Sequence, residues 1–208
     1  MRINTNLWNK IRYTLYAPGY DLAGRILDAS RKKSIENLNL KPYTNILIVG
    51  AGTGLDLHFL PQNCTIVATD ITPAMVKKIE KRNVRLGGNV QTKVMDGQAL
   101  DFADNTFDYV ILHLILSVIP NEIACIKEAE RVLKPGGKVA VFDKFVRKNT
   151  KASTKRKIAN VFTNLFFSDI TRSFELILAH SNLSLISDTD ANLNGNFRII
   201  QLQKKLVN

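Results

Sequence analysis

Short apolar runs separated by stretches of helical period predict the fold of this chain. The runs lie at residues 46–49, 65–69, 90–95, 107–112 and 138–142, and they predict strands, the most apolar of which are buried on both faces of a parallel sheet. Between them, Pro73 opens one predicted helix and residues 122–133 form another, ended by Lys134-Pro135-Gly136-Gly137. This alternation predicts an open, mostly parallel α/β sheet whose ligands bind at the carboxyl ends of its strands.

The N-terminal part predicts a helical cap. Leu7, Trp8, Ile11 and Leu15 fall on one face of a first helix, with Lys10 and Arg12 beside that face. Such a basic amphipathic helix either lies in a membrane interface or packs on the domain as a lid, and the sequence leaves both open. A second helix is predicted over residues 20–38, with inward apolar positions at Leu22, Ile26, Leu27, Ile35 and Leu38 and a solvated basic cluster, Arg31-Lys32-Lys33.

The C-terminal part continues the alternation less regularly. Residues 158–180 predict a helix, and residues 183–186 and 197–202 predict two last strands with Asn194-Gly195 in their connection. The 208 residues are expected to form a single domain, 1–208, made of an N-terminal cap (1–40), a core (41–145) and a C-terminal part (146–208).

Composition narrows the class of protein. The longest apolar run is too short to cross a bilayer, so we expect neither a transmembrane helix nor a cleaved signal peptide, and we expect a cytoplasmic protein. Cys64 and Cys125 lack the spacing of metal ligands and are expected to be buried, reduced thiols; no metal site is predicted.

The net charge of +11 is concentrated at the two ends of the chain. Residues 1–40 hold seven Lys and Arg against three Asp and Glu, residues 41–140 hold eleven against ten, and residues 141–208 hold eleven against five. A basic surface of this kind attracts anionic lipid headgroups, RNA or acidic small molecules, and it also occurs on proteins that are merely soluble and basic.

A glycine-rich turn follows the first strand. Gly50, Gly52 and Gly54 let the backbone turn sharply and approach a ligand closely. This spacing alone fits an ordinary loop as well as a nucleotide site. The second strand ends at Asp70, about 20 residues further on, where a carboxylate can accept hydrogen bonds from two ribose hydroxyls, and this favours a nucleotide-type cofactor.

Five motifs in order resemble those of class I S-adenosylmethionine-dependent methyltransferases. They are residues 49–54, Asp70, Asp96-Gly97, residues 107–110 and residues 133–137. The resemblance implies a Rossmann-like sheet of seven strands in the order 3-2-1-4-5-7-6, with the last strand antiparallel and helices on both faces. A Rossmann dehydrogenase is the competing interpretation, but its fingerprint requires a third glycine where Leu55 stands.

The same resemblance assigns the cofactor, S-adenosyl-L-methionine, to particular residues. Gly50, Ala51, Gly52 and Gly54 would border its methionine and ribose. Asp70 would hold the ribose hydroxyls, and Ile71 would pack on the adenine. Asp96 would accept from the adenine amino group with Gly97 alongside. Helix capping and turn formation are the alternative roles of Asp70 and Asp96.

One position departs from the family pattern. Many members carry an acid two residues before the first glycine, near the methionyl ammonium, and here that residue is Ile48. Backbone carbonyls of the turn or Asp56 could hold the ammonium instead. Asp56 could equally stabilise the following helix N-terminus by its charge.

A narrower resemblance concerns the methyl acceptor. Short strings at Tyr20-Asp21, residues 53–57, residues 143–145 and residues 168–172 are similar to soluble bacterial phosphatidylethanolamine N-methyltransferases. The related ubiquinone and menaquinone C-methyltransferases share the core motifs. This predicts N-methylation of a phospholipid headgroup, possible docking on an anionic membrane surface at the inner face of the membrane, and no obligate protein partner.

Candidate side chains follow from that prediction. Lys144, Arg147 and Arg172 could neutralise a headgroup phosphate, while Tyr20 and His113 could line the acceptor pocket and assist proton loss from an amine. His113 could instead be a histidine whose hydrogen bonds are satisfied locally. Lys144 could instead be a solvated surface lysine. The alternatives are C- or O-methylation of a quinone precursor or another small molecule, methylation of RNA, and a non-catalytic S-adenosylmethionine-binding protein. Nucleic acid is disfavoured because residues 113–116 lack the Asn/Asp-Pro-Pro-aromatic string and no RNA-binding module is present.

Overall fold

A computed structural model describes residues 4–146, 153, 160, 168–192 and 196–206. Within these residues seven strands form one sheet in the order β3-β2-β1-β4-β5-β7-β6, as predicted. Strands β1 to β5 pair in parallel, and β7 runs antiparallel to both β5 and β6. The strands are β1 (Asn45–Val49), β2 (Thr65–Asp70), β3 (Val90–Val94), β4 (Phe107–His113), β5 (Leu133–Lys144), β6 (Ser184–Asn192) and β7 (Phe197–Gln203).

Six α-helices lie within the described residues: α1 (Asn6–Tyr16), α2 (Tyr20–Gly24), α3 (Asp28–Glu36), α4 (Pro73–Arg85), α5 (Glu122–Val132) and α6 (Phe174–Leu178). Two 3-10 helices, Arg25–Leu27 and Leu55–Phe59, supplement them. Local chemistry sets several starts: the Thr5 hydroxyl accepts from the Trp8 amide, Asn121 accepts from Ala124, and Pro73 occupies the first turn of α4. Among the described residues, no helix has the length and apolarity needed to cross a membrane.

The central strand β1 explains why the apolar runs are continuous. Leu47 and Val49 face a core shared with α5 and α6, whereas Ile46 and Ile48 face a core shared with α3 and α4. Successive side chains of a strand point to opposite faces, so a strand covered on both faces needs apolar residues throughout. The sheet therefore carries a hydrophobic core on each side, and the carboxyl ends of β1, β2, β3 and β4 remain as the edge where ligands can bind.

Two helix predictions are wrong in part. The helix predicted over residues 20–38 divides into α2, a 3-10 turn and α3, and its expected inward residues Leu22 and Ile26 are 83% and 78% exposed. The helix predicted over residues 158–180 is interrupted in its described part, because the Asp169 carboxylate accepts from the Thr171 amide at 2.8 Å and so forms a turn that competes with helix. Within the described part of the predicted helix, α6 is the helical segment that follows this turn. Residues 158, 159 and 161–167 and the Asn194-Gly195 connection lie outside the described residues.

Gly137 supports the start of β5 by its lack of a side chain. A Cβ there would lie 2.8 Å from the Asp108 carbonyl oxygen and 2.9 Å from the Leu133 side chain. We expect Gly137→Ala to lower the free energy of unfolding by about 1–3 kcal/mol, since backbone must move to admit the methyl group. Gly19→Ala is the control, because no atom lies within 4 Å of its Cβ, and it should change stability by less than about 0.5 kcal/mol. Urea unfolding of both variants measures this, and equal stabilities would contradict it.

Candidate functional site

A left-handed glycine turn leaves the carboxyl end of β1. Gly50, Gly52 and Gly54 have φ angles of +67°, +58° and +79°, which glycine adopts without strain. A Cβ on Gly50 would lie 2.5 Å from Cδ1 of Ile115. The Ala51 amide donates to the Thr69 carbonyl at 2.8 Å and ties the turn to β2. The turn thus presents bare backbone to a cavity, which we call the turn cavity.

Asp70 closes the turn from the end of β2. Its carboxylate accepts from the Gly52 amide at 2.9 Å and from the Thr72 amide at 2.8 Å. Burial raises the pKa of Asp70 to about 6, against the opposing effect of these two hydrogen bonds. Both Asp70 and Ile71 lie in the wall of the turn cavity. The geometry leaves carboxylate lone pairs for the hydroxyls of a bound ribose.

Asp96 lies across the cavity, just beyond β3. Its carboxylate accepts from the Asn6 amide nitrogen at 2.6 Å and from the Gln98 side-chain amide at 2.9 and 3.1 Å. Gly97 packs closely there, because a Cβ on it would lie 2.6 Å from Val49. The structure therefore brings seven of the eight residues that the resemblance assigned to the cofactor into one cavity wall, and adds Asn6, which no sequence pattern indicated. The seven are Gly50, Ala51, Gly52, Asp70, Ile71, Asp96 and Gly97. Gly54 lies one turn behind them, against Leu57 and Ile79.

Helix α1 covers the turn cavity with its polar face. Asn9 and Arg12 are buried, and the Asn4 and Asn9 amides both donate to the Val118 carbonyl, at 2.7 and 3.2 Å. The apolar side chains of the helix face out, with Leu7, Ile11 and Leu15 being 69%, 46% and 71% exposed, so they do not pack on the domain as one of the two interpretations required. The helix is placed as a lid, but its amphipathicity is inverted relative to that of a lid packed on a hydrophobic core.

A buried charge cluster supports the turn from below. Nη1 of Arg31 donates to both carboxylate oxygens of Asp56 at 3.0 Å, and His113 Nδ1 lies 2.8 Å from Oδ1 of Asp56. Burial would raise the pKa of Asp56, but the charges and hydrogen bonds of Arg31 and His113 outweigh it and hold the pKa well below its usual range. The predicted solvated position of Arg31 is thus wrong, and Asp56 is occupied by Arg31 and His113 rather than by a helix terminus or a ligand ammonium.

A second cavity of about 500 Å³, the side chamber, adjoins the turn cavity. Tyr13, Tyr20, Leu114 and Val118 line both. Tyr16, Leu27, Leu15 and Phe197 extend its apolar wall. Lys144 supplies its one cation among the described residues, with Nζ 3.2 Å from the Ser168 hydroxyl and 5.4 Å from the centroid of the Phe197 ring. Burial lowers the pKa of Lys144.

The three side chains predicted to bind a headgroup phosphate do not share one site among the described residues. Lys144 faces the side chamber, as described. Arg172 instead donates to the carbonyls of Leu116 and Ile119 and pairs with Glu122 at 3.2 Å. Since these backbone and carboxylate partners occupy its guanidinium, Arg172 holds the loop after β4 in place and is not available as a headgroup ligand in this arrangement. Arg147 lies outside the described residues.

Comparisons with known proteins agree with this geometry. A family model described as a methyltransferase domain matches residues 47–141, which include the glycine turn, Asp70 and Asp96. The chain contains an S-adenosylmethionine-dependent methyltransferase domain. It is 25% identical over 189 residues to a phosphatidylethanolamine N-methyltransferase from Cereibacter sphaeroides, covering 89% of this chain and 93% of the relative.

Two further similarities bear on the fold and the family. The methyltransferase is 34% identical over 128 residues to a demethylmenaquinone methyltransferase from Corynebacterium efficiens, covering 59% of this chain and 53% of the relative, so the match spans about half of that protein. A solved SAM-dependent methyltransferase from Methanosarcina mazei shares the fold with a TM-score of 0.66 and 22% identity, covering 83% of this chain and 97% of that chain.

The residues present fit S-adenosylmethionine, the cofactor of this family. Bare backbone at Gly50 and Gly52, paired with the Asp70 carboxylate, suits the ribose and the adjoining chain. Asp96 can accept from an adenine amino group, and Ile71 can cover the ring. When bound, the cofactor supplies an electrophilic methyl group. The protein supplies orientation and exclusion of water, because in-line transfer to a lone pair requires little further chemistry.

The two predicted catalytic side chains differ in what they can do. His113 has both ring nitrogens occupied, Nδ1 by Asp56 and Nε2 by the Ser34 hydroxyl at 3.0 Å, so it has no free nitrogen with which to take a proton from an acceptor. Its geometry is that of a positioning residue beneath the turn. Tyr20 lies in the wall between the two cavities, and burial raises its pKa, so its hydroxyl remains protonated and can orient an acceptor by hydrogen bonding.

The raised pKa of Asp70 predicts a pH dependence of cofactor binding. Ribose hydroxyls donate to the carboxylate form, so affinity should be constant at neutral pH and fall as the pH drops through about 6, where the free protein takes up a proton. Below that value a single linked proton lowers affinity about tenfold per pH unit. Calorimetric titration with S-adenosylhomocysteine between pH 5 and 8 measures it. The Asp70→Asn variant should bind S-adenosylhomocysteine weakly, with an affinity that does not change between pH 5 and 8. An affinity that still falls at low pH in this variant would contradict the assignment of the pH dependence to Asp70.

Proposed function

We propose that this methyltransferase methylates the amine of a phospholipid headgroup of the phosphatidylethanolamine type. The observation that carries the proposal is the side chamber, which is largely apolar, adjoins the turn cavity and holds the half-buried Lys144 cation. A headgroup placed there would have its phosphate beside Lys144 and its amine directed toward the tyrosines that separate the two cavities. A lysine ammonium on a phosphate is a charge-assisted contact that strengthens away from water.

The tyrosines suit the amine end of such a substrate. Tyr13 packs edge to face with both Tyr16 and Tyr20, with ring centroids 6.1 Å apart in each pair. Aromatic faces attract methylated ammonium groups, which are the products of successive transfers to an amine. The amine must lose its proton before its lone pair can attack, and burial favours the neutral form because it disfavours charge.

Surface chemistry near the entrance supports a lipid substrate. Leu7, Ile11, Leu15, Leu22 and Ile26 form an exposed set on α1, α2 and the following turn, which we call the apolar stripe. Lys10 of α1 and Arg25 of the following 3-10 turn are also exposed, and such cations attract anionic headgroups. Leu15 belongs to the stripe and also lines the side chamber. Docking of the stripe in a bilayer interface would therefore bring the chamber to its substrate without a spanning helix.

The relatives support two acceptor classes unequally. The phosphatidylethanolamine N-methyltransferase relative aligns over most of both chains. The demethylmenaquinone methyltransferase relative aligns over about half of each. C-methylation of a quinone precursor is the second candidate, because an apolar chamber with one cation would also accept a prenylated phenolate.

Labelled S-adenosylmethionine and liposomes test the acceptor. With phosphatidylethanolamine liposomes the label should enter the lipid fraction, and Lys144→Met should raise KM about tenfold or more, because one charge-assisted contact is lost. Lys32→Met removes a surface lysine and should leave KM unchanged. Label that enters a quinone precursor or RNA while phosphatidylethanolamine stays unlabelled would reject the proposed acceptor.

The apolar stripe can be tested apart from the chemistry. Replacement of Leu7 and Ile11 together by Gln should weaken binding to anionic vesicles about tenfold or more, since each side chain contributes about 1.5–3 kcal/mol when fully buried in an apolar phase. Turnover of a water-soluble, short-chain phosphatidylethanolamine should be preserved. The matched control replaces Leu176 and Leu206, which are exposed outside the stripe, by Gln. Equal vesicle binding by both double variants in co-sedimentation would exclude the stripe as the docking surface.

A further inference from the structure

The wall around the glycine turn lacks the acid that many family members place there. Ile48 is buried in the core shared with α3 and α4 and offers no polar group to the turn cavity. The charged side chain that the structure places in this part of the wall is a cation, Arg31 of α3, which lines the turn cavity with Gly50, Ala51 and His113. This part of the wall thus carries a positive side chain where a negative one is common.

Arg31 is only partly used by its partner. One nitrogen, Nη1, serves both carboxylate oxygens of Asp56, so the pair is not the two-nitrogen fork that arginine usually makes with a carboxylate. Nε is buried and has no hydrogen-bond partner among the described residues, and the residue as a whole is 5% exposed. A buried N–H left without an acceptor is costly, and a guanidinium has five N–H groups to satisfy. A site with an orphaned cationic donor in its wall is suited to an anionic ligand group.

The guanidinium is also held rigidly. Asp56 is fixed by His113, and His113 by Ser34, so that residues from α3, the 3-10 helix after the turn and β4 fix one another. A preorganised donor loses little entropy when it binds a ligand. Ser34 and Arg31 lie on the same helix, which makes the cluster closed rather than a chain ending in solvent.

We propose that Arg31 binds the carboxylate of the cofactor's methionine moiety, with Asp56 as the residue that positions its guanidinium. The amino-acid end of the cofactor is then recognised through its carboxylate, which compensates for the missing acid at Ile48. The proposal does not depend on the identity of the methyl acceptor, because it concerns cofactor binding alone. It also assigns a role to the one member of the Arg31-Lys32-Lys33 cluster that is turned inward.

Binding of two cofactor-like ligands to the full chain tests the proposal. S-Adenosylhomocysteine carries the amino-acid carboxylate, and 5′-methylthioadenosine lacks it. Calorimetry should show that Arg31→Gln weakens the binding of S-adenosylhomocysteine about tenfold or more, because one charge-assisted contact is lost. The affinity for 5′-methylthioadenosine should change less than about twofold. Arg31→Lys keeps the positive charge but lacks the planar guanidinium. Its affinity for S-adenosylhomocysteine should therefore lie between those of the wild type and Arg31→Gln.

Arg82→Gln is the matched control. Arg82 supports the same turn from α4, donating to the Thr53 carbonyl at 2.9 Å and to Asp21 at 2.7 Å, but lies outside the cavity wall. Any effect of this variant should be equal for the two ligands. Equal losses for both ligands in Arg31→Gln, or no loss for either, would show that Arg31 only supports the turn and would overturn the proposal.

A measurement on the unaltered protein covers the case in which the Arg31 variants do not fold. Decarboxylated S-adenosylmethionine keeps the ammonium and lacks the carboxylate. The wild-type chain should bind it about tenfold or more weakly than S-adenosylmethionine, by the same loss of one charged contact. Equal affinities would overturn the proposal regardless of how the variants behave.

Discussion

The buried Asp56 carboxylate is the interaction on which the geometry of the cofactor side depends. It lies on the 3-10 helix that follows the glycine turn and is held by Arg31 from α3 and His113 from β4. An isolated charge at 1% exposure would be strongly destabilising, so the carboxylate requires both partners, and each partner fixes one element relative to the turn. The glycine conformations set the local path of the backbone, and this cluster determines where the turn stands relative to the sheet and the cap.

The polar inner face of helix α1 follows from the polar groups of the turn cavity that it covers. The turn cavity presents Asp96 and backbone carbonyls such as that of Val118, and a helix that closes over them must supply donors, as Asn6 and Asn9 do. Polar positions on the inner face leave the apolar positions outside. A set of exposed leucines and isoleucines is costly in water, and this cost is the reason for proposing the apolar stripe as a membrane-docking surface. The two interpretations that the sequence left open for this helix are therefore compatible with each other.

Prediction from the sequence succeeded where the physical requirement is local and failed where it depends on partners distant in the chain. The strands of the parallel core need continuous apolar residues, and the turn needs glycine, so β1 to β4, the central part of β5 and the positions of Asp70 and Asp96 followed from the pattern. The prediction missed the first residues of β5, which begins at Leu133 rather than at Lys138. Arg31 was expected to be solvated because a helical pattern cannot reveal that Asp56 lies opposite it in the core. Leu22 and Ile26 were expected to be buried for the converse reason, since periodicity identifies an apolar face but not what covers it. Asn6 carried no signal, because amides of this kind are common on surfaces.

The side chamber depends on the register between β5 and β7 in a way that the turn cavity does not. The turn cavity is built from strand ends and backbone, which leaves little room for variation. The side chamber depends on antiparallel pairing of β5 with β7, in which Lys144 lies opposite Phe197, so that a cation and an aromatic ring line the chamber together. A slip of β7 by one residue would turn Phe197 to the other face of the sheet and away from Lys144. On the proposed function, the acceptor is recognised by surfaces that the pairing of the C-terminal strands and the cap create, while the parallel core holds the methyl donor.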